Sequence, residues 1–424
     1  MRSFDSPAQT IFEANGDLLL AIAVADVDND GNSEIAALTQ NAFGSGDYKL
    51  MLFDLNGQLI NSVQLPSRAQ ELVFGNTDED AQLEIVLNNG LVYDGLSFEN
   101  EWFYGAGFGD SSIAVGDFDG DGIDDVAGAD SWGAVRVFSN VSKTMLWSFD
   151  NFNTCSLNAA QLDVSEPFEL LIGDCQWGNI TAYQWQTDQM LSLWQMDMQG
   201  HGSKSIAVGD ADNDGELEVI WGSGQSSSGE DYLVVADLPS ASSVTWVNQN
   251  PAQLDRFNAA GWATVNEMDT AVFLVPSTDS GYDGQRVLFM DAVGDITISQ
   301  EKGNNWNGSM QGLVSDFNND GMSDIVISDS ILYEPGLGVY TLPDLLPIWE
   351  VTSLSESPKI AALDFNGDSI EELIYSVDGT LLIMDLLNQS IFASFAVSTG
   401  VINQLSVANG EVPFVVVSSN DVTE

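Results

Sequence analysis

Residues 117–125 read DFDGDGIDD, a nonapeptide of the form Asp-x-Asp-x-Asp-Gly-x-x-Asp/Glu that recurs along the chain. The other clear copies begin at Asp26 (DVDNDGNSE), Asp210 (DADNDGELE), Asp316 (DFNNDGMSD) and Asp364 (DFNGDSIEE). Alternate side chains of a tight loop face the same side, so their oxygens converge on one point. Like charges that close together repel unless a cation lies between them. The pattern therefore predicts metal-binding loops, and its recurrence predicts a repeat architecture.

The repeat has a period of about 50 residues, because the clear copies and three weaker ones start at residues 26, 76, 117, 161, 210, 263, 316 and 364. Periods of this size are typical of propellers and solenoids. Each unit has the pattern of four short strands, predicted in the third unit at 112–116, 125–129, 134–138 and 145–149. The sequence predicts an all-β fold, a β-propeller of about eight four-stranded blades, in one domain over residues 1–424. Each predicted metal loop joins the first and second strands of its blade.

The two ends of the chain leave the number of blades open. Residues 405–419 (LSVANGEVPFVVVSS) have the pattern of a ninth hairpin whose ligands are lost. Residues 8–14 resemble the outermost strand of a unit that lacks its first three strands. Propellers commonly close by a strand exchange of this kind, so eight and nine blades are both compatible with the sequence.

Calcium is the ion that the loops predict. Ca²⁺ takes six to eight oxygen ligands, which side chains at loop positions one, three, five and nine and a backbone carbonyl near position seven would supply. Mg²⁺ retains waters and wants fewer protein oxygens. Zinc and copper favour His or Cys, and the chain has one His. We expect about five to six calcium sites.

The loops differ in their predicted ligands. Those with four carboxylates, expected to bind most tightly, are the first (Asp26, Asp28, Asp30, Glu34), the third (Asp117, Asp119, Asp121, Asp125) and the fifth (Asp210, Asp212, Asp214, Glu218). Those with one Asn, expected to bind more weakly, are the second (Asn76, Asp78, Asp80, Glu84), the seventh (Asp316, Asn318, Asp320, Asp324) and the eighth (Asp364, Asn366, Asp368, Glu372). The fourth loop (Gln161, Asp163, Ser165, Glu169) and the sixth (263–271) are not counted as sites.

The charge of the chain restricts its partners. Asp and Glu number 64 against 10 Lys and Arg, a net charge of −54. Nucleic acids and anionic membrane surfaces need basic patches, so we expect neither as a partner. No apolar run is long enough for a transmembrane helix, and residues 1–5 do not begin a signal peptide, so a leader is either removed or not used. We expect an extracellular or cell-surface protein; the sequons at Asn140, Asn179, Asn307 and Asn388 would allow glycosylation there.

The two cysteines, Cys155 and Cys175, each lie six residues outside the fourth loop. Symmetric residues of an antiparallel hairpin face each other across its strands. We therefore predict a disulfide that stabilises the hairpin whose metal ligands are lost, which implies an oxidising compartment. Two buried free thiols are the alternative.

The units resemble FG-GAP repeats, the calcium-binding blades of integrin alpha-chain propellers and of many secreted microbial proteins. The Phe-Gly element is Phe108-Gly109, ahead of the third loop, and a Gly-Ala element follows at Gly128-Ala129. The resemblance covers essentially the whole chain. It implies calcium binding, a surface or extracellular setting and a role in adhesion or recognition, although the number of units differs from that of an integrin.

In that family, partners usually bind the face opposite the metal loops. Aromatic residues predicted on that face include Tyr104, Trp132, Trp177 and Trp306. Exposed Trp and Tyr are frequent contact residues for proteins and sugars, so we expect a protein or glycan ligand there. The alternative is that several of these rings pack inward between blades.

Two further functions remain open. A polysaccharide lyase would use a basic residue on the same face, and His201, Lys204 and Arg256 are the candidates, although His201 also fits as a replacement for the structural Phe. No GxSxG or Walker pattern is present. A structural subunit of a surface layer or filament would self-assemble. The leading interpretation is a non-enzymatic recognition or adhesion protein.

Overall fold

The computed structural model describes residues 17–41, 46–54, 57–105, 108, 113–129, 133–162, 167–174, 180–196, 203–209, 218–223, 232–237, 246–249, 254–255, 258–265, 268–275, 277–278, 286–291, 296–298, 311–329, 336–351, 354, 357–396, 401–408 and 414–420. The chain divides into two compact units whose main parts are Gln9–Met198 and Ser205–Glu424. Each unit is described by itself. The predicted single domain over residues 1–424 stays a prediction.

The first unit contains four antiparallel sheets of four strands, each in the order of the sequence. Sheet 1 consists of β1 (Asp17–Ala25), β2 (Glu34–Asn41), β3 (Tyr48–Phe53) and β4 (Leu59–Leu65), and sheet 2 of β5 (Leu72–Gly75), β6 (Glu84–Leu87), β7 (Leu91–Asp94) and β8 (Asn100–Phe103). Sheet 3 consists of β9 (Ile113–Gly116), β10 (Asp125–Ala129), β11 (Gly133–Ser139) and β12 (Thr144–Phe152), and sheet 4 of β13 (Thr154–Ala160), β14 (Glu169–Asp174), β15 (Ile180–Gln186) and β16 (Gln189–Met196).

The second unit contains four more sheets of this kind and two separate strand pairs. Sheet 5 consists of β17 (Ser203–Gly209), β18 (Glu218–Ser223), β19 (Tyr232–Asp237) and β20 (Trp246–Gln249). The pair β21 (Leu254–Asp255) with β24 (Ser277–Thr278) accompanies sheet 6, which consists of β22 (Asn258–Val265), β23 (Met268–Val275), β25 (Arg286–Asp291) and β26 (Ile296–Ile298). Sheet 7 consists of β27 (Gln311–Ser315), β28 (Asp324–Asp329), β29 (Gly336–Thr341) and β30 (Pro347–Val351), and sheet 8 of β31 (Ile360–Leu363), β32 (Glu372–Val377), β33 (Thr380–Asp385) and β34 (Ser390–Ala396). The last pair is β35 (Val401–Ala408) with β36 (Phe414–Asn420).

The strands differ in burial according to their place in the sheet. The second strands are largely apolar after their first residue, and two of them, β10 (DVAGA) and β14 (ELLIGD), are buried at every position, because both faces of the sheet are covered. The fourth strands, such as β4 and β34, are mostly exposed. The sheets therefore have buried inner strands and solvated outer edges.

Within each unit, successive sheets stack face to face. In the first unit the first strands β1, β5, β9 and β13 contact one another in turn, and in the second unit β22, β27, β31 and β35 do the same. Apolar side chains fill the space between neighbouring faces: Val27 and Leu52 pack with Ile85 between sheets 1 and 2, and Val137 packs with Leu170 between sheets 3 and 4. This is the arrangement of propeller blades, with first strands inside and fourth strands outside.

The fold predictions agree with these observations. The four strands predicted in the third unit coincide with β9–β12 to within three residues at each end. The hairpin predicted at 405–419 is the pair β35–β36. Residues 8–14 lie outside the described part of the chain, so the predicted strand exchange is not tested. The described residues form no helix that is long and apolar enough to span a membrane.

Candidate metal centres

All loops described in full share one set of backbone contacts, which makes the carboxylate at position nine the centre of the loop. Position nine is the first residue of the second strand, and its Oδ2 or Oε2 accepts a hydrogen bond from the N–H of position two. The pairs are Val27–Glu34 (2.9 Å), Phe118–Asp125 (3.2 Å), Phe317–Asp324 (3.2 Å), Phe365–Glu372 (2.7 Å) and Thr77–Glu84. All five of these carboxylate residues are buried.

The carboxylate at position one holds the turn of the loop. In the third loop, Asp117 Oδ1 accepts from the N–H of Asp121 at 3.0 Å and Oδ2 from that of Gly122 at 2.9 Å. Gly122 has a φ of +91°, the conformation that the glycine of the motif predicts. Ser369 takes the same position in the eighth loop with a φ of +70°. The turn therefore forms even without the glycine, at some cost in backbone strain.

The first and third loops each bring three carboxylates within 4.8 Å of one another. The groups are Asp26, Asp28 and Glu34, and Asp117, Asp119 and Asp125. Backbone N–H groups satisfy part of each carboxylate, but the side chains at positions three and nine are both carboxylates, so neither can donate a hydrogen bond to the other when ionised. These clusters can hold a metal ion, and their repulsion is relieved when they do.

In the seventh and eighth loops the residue at position three is Asn, whose side-chain amide takes the place of a carboxylate. Asn318 Nδ2 donates to Asp324 Oδ1 at 3.3 Å, and Asn366 Nδ2 donates to Glu372 Oε1. In both loops the side-chain oxygen of Asn accepts from position five, from the N–H of Asp320 or Asp368 at 2.9 Å. The Asn at position three therefore replaces a repulsive contact with a hydrogen bond, which agrees with the weaker binding expected of these loops.

The second loop contains buried acceptors without any donor. Glu84 is fully buried, its Oε2 accepts from Thr77, and its Oε1 has no hydrogen-bond partner. Asn76 Oδ1 and Glu101 Oε2 are likewise buried without a partner. Asp78, Glu84 and Glu101 form a third cluster with ligand atoms within 4.8 Å. The sequence did not predict Glu101, which lies on β8 outside the loop.

The fourth loop, which the sequence does not count as a site, has an amide donor beside its position-nine carboxylate. Both oxygens of Glu169 accept hydrogen bonds, Oε2 from the N–H of Leu162 at 2.9 Å and Oε1 from Gln184 Nε2 at 2.8 Å. A neutral amide donor thus satisfies the carboxylate. Asp163 and Ser165 lie outside the described residues.

The fifth and sixth loops add no described cluster. Asp210, Asp212 and Asp214 lie outside the described residues, while Glu218 begins β18, as position nine should. In the sixth loop, Val265 pairs with Met268 in a tight hairpin, which agrees with the predicted loss of that site. The fifth loop therefore stays a prediction.

Burial controls the ionisation of the position-nine carboxylates. Burial, and after it the charge of Asp119, raises the pKa of Asp125 to about 8. Burial raises the pKa of Glu84, Asp324 and Glu372 to about 7 each. A carboxylate with such a pKa is unfavourable as an anion, so a bound cation would favour the ionised form and compete with a proton.

Neighbouring loops are joined by backbone hydrogen bonds from position eight of one loop to position one or two of the loop before it. Leu83 donates to Val27 O at 2.9 Å, Asp124 to Asn76 O at 2.8 Å, Phe168 to Asp117 O at 2.9 Å and Ser323 to Thr264 O at 3.1 Å. Two of these contacts are reciprocal, because Asn76 N–H donates to Asp124 Oδ2 and Thr264 N–H to Ser323 Oγ, both at 2.9 Å. In the first unit the four loops therefore form a continuous row, and in the second unit the seventh loop is joined to the sixth.

The Phe-Gly and Gly-Ala elements meet in space. Phe108 is buried, its N–H donates to Asn88 O at 2.7 Å, and its ring covers Gly128 so closely that a Cβ there would lie 2.1 Å from a ring carbon. The contact gives a physical reason for both elements. A side chain at position 128 would displace the ring.

Tyr104, predicted on an exposed ligand face, is buried instead. Its hydroxyl donates to Leu87 O at 2.7 Å, and its ring packs against Phe108 and Phe138 at centroid distances of 5.2 Å. The inward packing that the sequence left open as the alternative applies to this residue. Trp132, Trp177, Trp306, His201 and Arg256 lie outside the described residues, and of Lys204 the structure describes only a place in β17.

The predicted cysteine pair rests on a register that differs from the one observed. Ala160, not Gln161, pairs with Glu169, and Cys155 lies at a bulge between Thr154 and Ser156. Direct cross-strand symmetry about the fourth loop is therefore wrong by one residue. Cys175 lies outside the described residues, and no disulfide is seen among the described ones.

Of the sequons, two fall on described side chains. Asn140 is 1% exposed and its Nδ2 donates to Asp124 O, so this side chain is not available for glycosylation. Asn388 is exposed in the turn between β33 and β34. Asn179 and Asn307 lie outside the described residues, so glycosylation stays a prediction for the other three.

No protein-family model matches the chain, and no curated protein matches it. Among solved structures it is similar to the Dos1 propeller (14% identity, TM-score 0.52, 92% of this chain and 87% of that one). It is also similar to Sqt1 of Saccharomyces cerevisiae (12% identity, TM-score 0.52, 91% and 97%). A third similar structure is the rhamnogalacturonan lyase PL11 of Bacillus licheniformis (16% identity, TM-score 0.50, 93% and 66%). Identities this low show the fold alone, which is a β-propeller.

Proposed function

We propose that the chain is a calcium-stabilised β-propeller that acts in recognition or adhesion outside the cell or at its surface. The observation that carries the calcium proposal is the second loop, where Glu84 and Glu101 each have a buried carboxylate oxygen without a donor. A buried acceptor with no partner costs free energy, and a buried carboxylate costs more. A bound cation would remove that cost.

The chemistry of the ligand set favours Ca²⁺ over other ions. The clusters in loops one to three consist of carboxylate oxygens, with neither His nor Cys among the grouped residues. Flexible Asp and Glu side chains on a nine-residue turn suit the irregular, high coordination of Ca²⁺ better than the octahedron of Mg²⁺. We place about five to six such ions in the chain, one per predicted loop.

A calcium titration tests this proposal. The protein is freed of metal by chelation and dialysis, then titrated with Ca²⁺ and with Mg²⁺ in a calorimeter, and its thermal unfolding is followed at each step. Binding to the folded state contributes about 2.7 kcal/mol per site at 100 times Kd, so the melting temperature should rise with Ca²⁺. No binding heat and no change in melting temperature would overturn the proposal.

Three observations support recognition as the role. The units resemble FG-GAP repeats, the net charge of −54 suits a soluble surface in a salty medium or one that attracts cations and basic partners, and the propeller offers loops on the face opposite the metal sites. The ligand we propose is a protein or a glycan on that opposite face. Calcium-loaded protein should bind components of an immobilised glycan or matrix-protein array, and the metal-free protein should bind them less.

A polysaccharide lyase is the second candidate, because a rhamnogalacturonan lyase is among the structures of similar fold. Such an enzyme would abstract a proton from a uronate polymer with a basic residue and use calcium to neutralise the carboxylate. Incubation with uronate-containing polymers separates the two functions. Accumulation of unsaturated, ultraviolet-absorbing products would favour the lyase, and binding without turnover would favour recognition. Concentration-dependent assembly on addition of calcium would instead favour a structural subunit.

A further inference from the structure

The fourth strand carries a β-bulge at the same place in six sheets, and one bulge residue is unlike the others. In sheet 2, for example, the bulge lies opposite Val92 and Tyr93 of the third strand, and Tyr93 pairs with Ile85, the residue that follows loop position nine. The inserted residues are Ile60, Glu101, Leu146, Leu193, Ile348 and Phe392. Five are apolar, and sheet 2 alone among these six has a carboxylate. Bulges redirect side chains and are frequent next to functional sites.

Glu101 reaches the metal loop of its own sheet. One of its carboxylate oxygens lies within 4.8 Å of ligand atoms of Asp78 and Glu84. Its Oε2 is buried without a hydrogen-bond partner, as is Oε1 of the fully buried Glu84. Lys143, a cation whose charge acts on Glu101, has its Nζ over the ring of Trp102 at 5.1 Å from the centroid. Two carboxylates, each with one buried oxygen that has no hydrogen-bond partner, thus share one cluster.

We propose that Glu101 is a ligand of the metal ion in the second loop and completes a site that the loop alone leaves short of charge. The second loop has Asn76 where the first and third loops have Asp. With Glu101 its carboxylates become Asp78, Asp80, Glu84 and Glu101, the same number as in those two loops. This inference rests on the proposed calcium binding and extends it to a residue outside the motif.

The added ligand changes what the ion does in this sheet. In a loop of the ordinary kind, the ion joins the first and second strands. Glu101 lies on β8, the outer strand, so the ion of sheet 2 also holds the outer strand to the loop. We therefore place the second site among the tight ones, in contrast to the weaker binding expected from its loop sequence.

The test compares the whole chain in three forms: wild type, E101Q and E99Q. Gln is isosteric with Glu, so E101Q removes the charge with little change in shape. Glu99 is exposed two residues away, and E99Q removes the same charge outside the cluster. Each form is titrated with Ca²⁺ in a calorimeter, and its melting temperature is measured with and without Ca²⁺.

We expect E101Q to weaken one site by about tenfold or more, since even residues behind the ligands commonly change metal affinity by that factor. E101Q should melt no lower than wild type without calcium, because a repulsive buried charge is gone, and lower than wild type with calcium. E99Q should match wild type in both conditions. This reversal of sign distinguishes a ligand from a residue that only supports the fold.

Two outcomes would overturn the inference. One is a wild-type binding isotherm that E101Q reproduces within error. The other is an equal loss of melting temperature in both conditions, which would show that Glu101 serves packing or an ion pair with Lys143. If the wild type itself binds no Ca²⁺, the proposed function fails before Glu101 is tested, so the two failures are separate results.

Discussion

Gln184 donates its side-chain amide to Glu169 Oε1 at 2.8 Å, in a loop that has lost its ligands. In the second loop the equivalent carboxylate oxygen, Oε1 of Glu84, has no donor at all. The two loops share a backbone scaffold, so the difference lies in what satisfies the buried charge. We conclude that an amide in the fourth loop serves the role proposed for a cation in the second.

Replacement of Gln184 by Leu should destabilise the protein whether or not calcium is present. The change removes the hydrogen bond that Gln184 donates to the buried carboxylate of Glu169, at a cost of about 1–3 kcal/mol. Chemical denaturation with and without Ca²⁺ measures the loss. Gln189→Ala, at the exposed first residue of β16 in the same sheet, is the control and should change little. A loss seen only in calcium would contradict the role of Gln184.

Asn366→Asp should strengthen calcium binding in the eighth loop and weaken the metal-free protein. The substitution replaces the amide that donates to Glu372 with a second carboxylate, which restores the repulsion found in the first and third loops. We expect a gain in affinity of roughly tenfold, the order that ligand charge produces in oxygen-ligand loops. Calorimetric titration and melting without metal measure the two effects.

Ser390→Asp is the matched control for that experiment, because it adds one charge to an exposed position of the same sheet. It should leave both affinity and metal-free stability almost unchanged. If Asn366→Asp and Ser390→Asp gave the same increase in affinity, general electrostatic attraction would explain the result and the loop contact would not.

The metal-free protein should lose stability as the pH rises from about 5 to about 8. Burial raises the pKa of Asp125 to about 8 and the pKa of Glu84, Asp324 and Glu372 to about 7. In this window the folded chain binds more protons than the unfolded chain, whose carboxylates ionise near 4, so the free energy of unfolding decreases with pH. Melting curves of dialysed, metal-free protein at pH 5.5 and 8.5 measure this.

Calcium should reverse that dependence. Ca²⁺ binds the ionised carboxylates, so its affinity rises with pH through the same range and the loaded protein should be at least as stable at pH 8.5 as at pH 5.5. If the melting temperature changed with pH in the same way with and without calcium, the position-nine carboxylates would not be ligands of the ion.

Gly128→Ala should destabilise the protein by about 1–3 kcal/mol, the usual cost of overpacking. The new methyl group would lie 2.1 Å from the ring of Phe108, which must move. Gly336→Ala is the control: its Cβ would meet its nearest neighbour, Val351 O, at an ordinary 3.4 Å. Denaturation midpoints of the two variants give the comparison, and equal midpoints would show that the Phe108 contact adapts without cost.

The sequence predicts the structural features that recur from one unit to the next, and it does not predict a ligand that is present in only one unit. The position-nine residues Glu34, Asp125 and Asp324 each begin a second strand as the motif requires, because loop and strand periodicity come from local residues. No sequence motif marks Glu101, because its proposed role depends on a β-bulge in β8, which lies outside the loop. A carboxylate among apolar bulge residues is the signal that could have found it.

Other differences between the sequence predictions and the structure come from side-chain packing and strand register, which a single sequence does not show. Tyr104 is an aromatic residue on a connection, where exposure was the simpler expectation, but its ring fills a gap beside Phe108 and Phe138. The pairing of Ala160 with Glu169 shifts the fourth hairpin by one residue from the symmetric register. Neither the aromatic contacts nor the register leaves a local pattern in the amino-acid order.

The hydrogen bonds between successive loops use backbone groups, so they do not depend on the ligand side chains. They persist where Phe168 joins the fourth loop to the third and where Ser323 joins the seventh to the sixth, although the fourth loop has lost most of its predicted ligands and the sixth is not counted as a site. A loop can therefore drift in evolution to an ion-free sequence without losing its alignment with its neighbour. The number of bound ions can then change one repeat at a time. Independent changes of this kind would produce the mixture of intact, amide-bridged and degenerate loops found in this chain.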